Sequence, residues 1–138
     1  MRREKTCNLR IDFHPSMQHN IQQLRASNGT VKQCVMRFIM NLYYGGYRHF
    51  VIYLHEPSDL WIAEILYFLT ISYKESRICY SIGILLDSED PYLWLDDTFM
   101  FRDEIFRNAK KIFWRSVKWY DNDNELKYLY VKEGKFFS

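Results

Sequence analysis

The sequence predicts an α/β fold, an open and mostly parallel sheet of about four to five strands with helices on both faces. Segments with strand character alternate with segments of helical periodicity, in the order β-α-β-α-β-α-β. The segment from Arg48 to Leu54 is apolar, β-branched and aromatic without polar alternation, which is typical of a strand buried on both faces. Between Leu60 and Ile71 only Glu64 and Thr70 are polar, so the helix after that strand should be covered on most sides.

Composition and charge indicate a single domain without a nucleic-acid or membrane signature. The 138 residues are 48% hydrophobic and 26% charged, which suffices for one core, so residues 1–138 should form one domain. The formal net charge of +2 is small for a protein that binds nucleic acid or an anionic membrane. No apolar segment follows the basic residues at positions 1–5, and Glu64 interrupts the longest apolar stretch. We therefore expect a cytoplasmic protein that does not contact a membrane.

Cysteine and histidine spacing gives no metal site. The chain holds three cysteines, Cys7, Cys34 and Cys79. Their odd number and the absence of a C-x-x-C pair favour buried thiols in a reducing compartment. His14 and His55 have acidic neighbours, but no H-x-x-x-H or similar spacing joins them. We predict no metal ligand and no cofactor.

Three elements are predicted before the central strand. Thr6 to Phe13 alternates apolar and polar side chains, which indicates a strand that ends before the proline following His14. A short helical turn is predicted for Met17 to Arg25. Thr30-x-x-Gln33 has the form of a capping box with Thr30 as N-cap, and Gly45 should end the helix that follows.

Four segments follow the central helix. Arg77 to Leu86 is predicted to be a strand, and about Leu95 to Lys110 a helix. Ile112 to Trp119 is predicted to be a further strand, followed by a turn at Asp121 to Asn124. Glu125 to Glu133 fits an alternating strand and a short helix equally well.

The prolines place a candidate site at one edge of the sheet. Pro15, Pro57 and Pro91 each lie just past the predicted end of a strand, so three loops should meet at the carboxyl edge, where α/β sheets bind ligands. Ser58 is the predicted N-cap of the central helix. The residues that we expect to bind a ligand or partner there are His14, His55, Glu56, Ser58, Asp59, Asp87, Glu89 and Asp90.

This predicted edge is acidic and contains no glycine. Phosphate-binding loops use glycine because backbone N–H groups must approach the anion closely, and they usually add a basic side chain. The carboxylates at this edge would instead repel a nucleotide. Two interpretations stay open, an acidic surface for a basic partner and a set of ordinary solvated turn and N-cap residues.

Short motifs spread over about residues 6 to 120 resemble the SLOG superfamily, a Rossmann-like group, and most closely its YspA/YpsA-like branch. Members of that branch open with a strand that ends in Gly-His-Arg-Pro, where this chain has Asp12-Phe13-His14-Pro15. A Gly-Tyr pair before the second strand matches Gly46-Tyr47, and the end of the family's loop motif matches residues 59–64, Asp-Leu-Trp-Ile-Ala-Glu. Trp94 and the segment 108–114 continue the likeness. The resemblance implies a Rossmann-like fold.

The same comparison shows where this chain departs from the family. Both glycines of the family's phosphate loop are replaced in the stretch Leu54 to Ser58, and the glycine and arginine of Gly-His-Arg are absent. The resemblance therefore implies the scaffold without nucleotide binding. Glu64 occupies a helix position where hydrolases of the superfamily have a catalytic glutamate, but a single glutamate in such a helix more often pairs with a neighbour. We assign no catalytic residue.

Two classes of function follow from these observations. The first is a non-catalytic interaction protein whose acidic edge binds a protein partner. Small versions of cellular folds that lack motifs are frequent in phages and mobile elements, so we expect an inhibitor of a host defence system, such as an anti-CRISPR protein. The second is a sensor of a nucleotide-derived ligand, or a nucleoside-processing enzyme, with a rebuilt site. A homodimer is compatible with both.

Overall fold

The computed structural model of the protein describes residues 5–14, 30–86, 102–122, 126–132 and 135–137. These residues form one sheet with α-helices on both faces, as the sequence predicts. The strands are β1 (Lys5–Phe13), β2 (Tyr47–Leu54), β3 (Cys79–Leu85), β4 (Ile112–Arg115), β5 (Lys127–Lys132) and β6 (Lys135–Phe137). The helices are α1 (Thr30–Tyr44), α2 (Pro57–Ser72), α3 (Arg102–Asn108) and α4 (Val117–Asn122).

The strand order is β4-β3-β2-β1-β5-β6. Strands β1 to β5 are parallel to one another, and β6 pairs antiparallel with β5. The first three crossovers therefore advance in one direction, and the chain then returns across the sheet to place β5 beside β1. In the usual Rossmann order this change of direction comes after the third strand, whereas here it comes after β4.

This connectivity places α1, α2 and α3 on one face of the sheet and α4 on the other, and we call these the thick face and the thin face. Right-handed crossovers in the same direction put their helices on the same face, and α1, α2 and α3 share the larger core with inward side chains of β1, β2 and β3. Helix α4 belongs to the return crossover and covers part of the other face. The smaller core there consists of Val51, Tyr53, Leu85 and Tyr120.

The prediction for the central strand is confirmed. Strand β2 lies inside the sheet, paired with β1 and β3, and every residue from Phe50 to Leu54 is buried. Helix α2 extends to Ser72, close to the predicted end, and most of its side chains are buried or half-buried. A strand and helix with so little polar surface have no stable position except inside the protein.

Two local predictions are wrong. Helix α2 begins at Pro57, so its N-cap is Glu56 and not Ser58. Proline favours the first helical position because its φ angle is preset and its missing N–H has no partner to lose. The segment from Ile112 to Trp119 is a strand only as far as Arg115, because α4 begins at Val117. The hydroxyl of Ser116 accepts the N–H of Trp119 at 3.1 Å, which is the hydrogen bond of an N-cap.

The boundaries of other helices and strands lie closer to their predicted positions. Helix α1 begins at Thr30 itself and ends at Tyr44, and the left-handed residue after it is Gly46, with φ of 106°, not Gly45. The ambiguous segment near the C-terminal side contains β5 as a strand. The predicted turn at Asp121 to Asn124 begins with the last two residues of α4. The predicted helical turn of residues 17–25, the start of the helix predicted from residue 95 and the side chain of Thr30 lie outside the described residues.

The three cysteines are free thiols. Cys7 is buried, and burial raises its pKa to about 11, whereas Cys34 and Cys79 are half-buried. Among the described residues, no helix has the length and apolar character needed to cross a bilayer.

Candidate functional site

The candidate site lies where β1 and β2 end side by side. Strand β1 has β2 on one side and β5 on the other, and the chain leaves these strands in different directions. In open α/β sheets such a change of direction opens a crevice at the carboxyl ends of the strands. The turn from β2 into α2, residues 55–59, forms one side of this site, and Tyr120 of helix α4 lies against it.

The β2–α2 turn is closed by its own carboxylate. One oxygen of Asp59, Oδ2, accepts the backbone N–H groups of His55 and Glu56, both at 2.8 Å. The N–H of Asp59 donates to the carbonyl of Glu56 at 2.9 Å, and Glu56 and Asp59 form a reciprocal capping box. Three backbone donors at this turn, the N–H groups of His55, Glu56 and Asp59, are therefore already bonded to groups of the turn.

Asp59 is also the buried acid of the site. Its residue surface is 4% exposed, and burial raises the pKa of its carboxyl to about 8. The N–H groups of Glu56 and His55 oppose this rise, and the negative charges of Asp12 and Glu56 add to it. Desolvation outweighs the two hydrogen bonds, so the pKa of this carboxyl lies well above its ordinary value of 3.8.

An aromatic ring on α4 lies over the turn. Tyr120 is 2% exposed, and its ring centroid lies 5.6 Å from those of His55 and Tyr53. The guanidinium of Arg10 lies 4.5 Å from the same ring, a cation–π distance. Burial raises the pKa of Tyr120 well above its ordinary value, and the charge of Asp59 raises it further, so the phenol stays protonated.

Next to Tyr120 a groove of about 330 Å³ opens on the thin face of the sheet. Its lining consists of Arg10, Asp12, Tyr120, Asp121, Leu126 and Tyr128. Arg10 Nε lies 3.2 Å from Asp12 Oδ2, and Arg10 Nη1 lies 3.8 Å from Asp121 Oδ1. Two carboxylates thus face one guanidinium, which leaves the groove mildly acidic.

The sequence analysis placed none of these lining residues in the site. Arg10 and Asp12 occupy the polar positions of the alternating strand β1, which resemble any solvated strand face. Tyr120 and Asp121 lie on α4, which was not predicted as a helix. One signal in the sequence could have indicated this pair. Arg10 and Asp12 have opposite charges and lie two residues apart, and alternate residues of a strand point to the same face.

The predicted site residues divide into three groups. His55 and Glu56 are half-buried at the β2–α2 turn, and His14 is half-buried at the end of β1, where its N–H donates to the carbonyl of Val131 at 2.8 Å. Ser58 and Asp59 are 7% and 4% exposed, so they lie beneath the surface and not on an exposed edge as expected. The other three, Asp87, Glu89 and Asp90, lie outside the described residues.

The described residues contain no group of three or more His, Cys, Asp or Glu side chains that could hold a metal ion. The polar groups of the turn and the groove include one buried carboxyl, one buried phenol and a guanidinium paired with two carboxylates. Comparison with known proteins adds nothing to this description, since no family, no curated protein and no solved structure matches the chain.

Proposed function

We propose that the protein is a non-catalytic interaction protein built on a SLOG-like scaffold whose phosphate loop has been lost. The observation that supports this proposal most is the bonding of Asp59 Oδ2 to the N–H groups of His55 and Glu56. An anion at this position would have to displace a carboxylate that is buried and held by two hydrogen bonds of 2.8 Å.

The acidic groups around the groove support a basic protein partner. The side chains of Asp12 and Asp121 are 31% and 53% exposed, and Glu56, whose charge also acts on Tyr120, is half-buried at the turn. Arg10 offsets part of this charge but is held by Asp12 and Asp121. Opposite charge on a partner would speed its association and select it from other proteins.

The partner that we propose is a component of a host defence system, such as a CRISPR effector, and the gene context is a phage or mobile element. This part of the proposal rests on the resemblance to a cellular ligand-binding fold together with the closed turn at the place of its phosphate loop. A protein that has kept the scaffold and closed the ligand loop is suited to binding other proteins by its surface.

Calorimetry tests the loss of nucleotide binding. ATP, NAD, AMP and cyclic nucleotides titrated into the protein should produce only the heat of dilution, because the N–H groups of His55, Glu56 and Asp59 are already bonded. A bacterial strain that carries CRISPR immunity tests the partner, since expression of the protein should restore plaque formation by the targeted phage. Micromolar nucleotide binding that Asp59→Ala abolishes would overturn the proposal.

A second candidate function has one observation in its favour. The buried carboxyl of Asp59, with a pKa of about 8, lies near Tyr120, which also lines the groove of about 330 Å³. A titratable carboxyl beside a cavity is a common feature of catalytic and ligand-sensing sites. We therefore propose as the alternative a sensor of a nucleotide-derived ligand, or a nucleoside-processing enzyme. Nucleoside binding that Tyr128→Ala weakens and phosphate does not compete with would favour this alternative.

A further inference from the structure

Strand β4 has a main-chain edge that the described part of the chain does not cover. It pairs with β3 on one side, and no described strand lies on its other side. The carbonyls of Lys111 and Arg115 accept the N–H groups of Ile82 and Leu86, at 2.9 and 2.8 Å. Successive residues of a strand direct their backbone groups to opposite edges, so Ile112 and Trp114 point theirs away from β3.

The same two residues expose apolar side chains. Ile112 is 44% exposed and Trp114 is 59% exposed, and both lie on the face of the sheet that carries α1, α2 and α3. Leu86, whose N–H donates to Arg115, is 60% exposed and adds a third apolar side chain near this edge. Exposed apolar side chains beside open backbone groups are what a bound strand would cover.

Cations lie on the opposite face of β4. The side chains of Lys111 and Arg115 are exposed. Lys111 Nζ lies 5.7 Å from the ring centroid of Phe113, and the guanidinium of Arg115 lies 5.4 Å from it and 5.1 Å from that of Trp119. Cation–π contacts thus hold positive charge in a fixed place beside the strand. The edge is apolar on one face and cationic on the other.

We propose that this edge binds an extended, acidic segment of a partner protein, which joins the sheet as a strand next to β4. The backbone groups of Ile112 and Trp114 would pair with the main chain of that segment. Its alternate side chains would be apolar on the face of Trp114 and acidic on the face of Arg115, since side chains of a strand alternate between faces. This surface is separate from the groove, and the proposal does not depend on the function proposed for it.

Charge makes a second copy of this chain a poor occupant. Pairing β4 with its own copy would bring Lys111 and Arg115 of one chain close to those of the other, and like charges facing each other oppose pairing. Single-stranded nucleic acid fits less well than an acidic peptide. On the cationic face, Phe113 and Trp119 are half-buried and in contact with Arg115, which leaves them little free surface for a base. The exposed ring of Trp114 lies on the other face, away from these cations.

Fluorescence anisotropy with a short labelled peptide that alternates valine and glutamate tests the proposal. The protein should bind this peptide, and a peptide with lysine in place of glutamate should not bind. Methylating alternate backbone nitrogens of the peptide should weaken binding by about tenfold or more, because it removes the donors that strand addition uses. A thymidine oligonucleotide in the same assay tests nucleic acid as the occupant, and size-exclusion chromatography tests a second copy of the chain.

Protein variants locate the surface. Lys111→Glu combined with Arg115→Glu should weaken peptide binding by about tenfold. Lys32→Glu combined with Lys74→Glu makes the same change in charge at exposed positions on α1 and on a 3₁₀ turn, and should bind as the wild type does. Ile112→Pro removes an outward N–H and should also weaken binding, while circular dichroism reports whether the sheet is kept. Equal binding of the methylated peptide, tighter binding of the oligonucleotide, no binding of the acidic peptide or a dimer formed through β4 would each overturn the proposal.

Discussion

The ring of Tyr53 lies directly over Gly83 of the neighbouring strand. A methyl group added at Gly83 would be 2.4 Å from Cδ1 and 2.6 Å from Cε1 of Tyr53. Gly83 is the register partner of Tyr53 on one side and of Phe113 on the other, and the two rings meet edge-to-face at 5.8 Å. The missing side chain therefore makes room for the aromatic contact in the smaller core.

Gly83→Ala should destabilise the protein. The added methyl group forces Tyr53 away from Phe113, and such overpacking costs about 1–3 kcal/mol in the free energy of unfolding. Urea denaturation of the wild type, Gly83→Ala, Tyr53→Ala and the double variant measures this effect and its coupling to Tyr53. In the double variant the alanine at position 83 should cost less than it does beside Tyr53. Additive free energies would show that the two residues do not compete for space.

Stability should fall as pH rises because of Asp59. Its pKa in the folded state, about 8, lies above the ordinary value of 3.8, so the folded state holds the proton more tightly than the unfolded state. The contribution of this group is fully present below pH 3.8 and is lost as pH rises through 8, by at most about 1.4 kcal/mol per pH unit. Urea denaturation across this range measures the slope.

Two substitutions of Asp59 separate charge from hydrogen bonding. Asparagine keeps an oxygen that can accept both N–H groups, so Asp59→Asn should flatten the pH dependence and exceed the wild type in stability near pH 9. Asp59→Ala leaves the N–H groups of His55 and Glu56 without this acceptor and should lower stability by about 1–3 kcal/mol at low pH, with the deficit shrinking as pH rises because alanine has no proton to lose. A steep pH dependence that survives in Asp59→Asn would assign the titration to another residue.

Removal of the N-cap hydroxyl should loosen α4. Ser116→Ala deletes the acceptor of the Trp119 N–H and should lower the free energy of unfolding by about 1 kcal/mol. Tryptophan fluorescence during denaturation is a suitable readout. Ser116→Asp restores an acceptor and should recover most of the loss, whereas equal stabilities for all three proteins would mean that α4 does not depend on this cap.

Thiol labelling should distinguish the cysteines. Cys7 is 2% exposed and burial raises its pKa to about 11, so it should react with iodoacetamide only in denaturant. Cys34 and Cys79 are half-buried and should react earlier in the folded protein. Mass spectrometry of timed samples identifies the order, and early labelling of Cys7 would contradict the burial of β1.

Charge reversal tests the acidic partner surface. Asp121→Lys places a cation at a half-exposed position of the groove and should weaken the complex with a basic partner while leaving the fold intact, since exposed charges contribute little to stability. Glu104→Lys makes the same change in charge at an exposed position on α3 and serves as the control. Association rates measured at low and high salt should differ from the wild type only for Asp121→Lys.

The sequence predicted best those helices and strands whose residues follow a single clear hydrophobic pattern. Phe50 to Leu54 offers no polar face, so a buried strand is the arrangement in which its side chains are all covered. Helix α4 has six residues, too few for a helical period to be visible, and a single hydrogen bond from Ser116 fixes its start. Its residues therefore fit a strand pattern equally well in the sequence.

The site was only partly predictable for a different reason. A carboxylate in the first turn of a helix is usually solvated, and nothing local to Asp59 shows that Tyr120 lies over the turn. Burial of Asp59 depends on the return crossover, which brings α4 to the thin face of the sheet. A long-range arrangement of this kind leaves no mark in the spacing of nearby residues.

The return crossover also sets an order in which the protein can fold. Strand β1 pairs with β5, and Leu9 of the first strand is the register partner of Lys127. Pairing of β1, β2 and β3 closes shorter loops, so these strands with α1 and α2 can assemble first on a ribosome. Until residues 127–131 emerge, one side of β1 has no strand to pair with. A chaperone or a neighbouring nascent chain would meet the protein at that side.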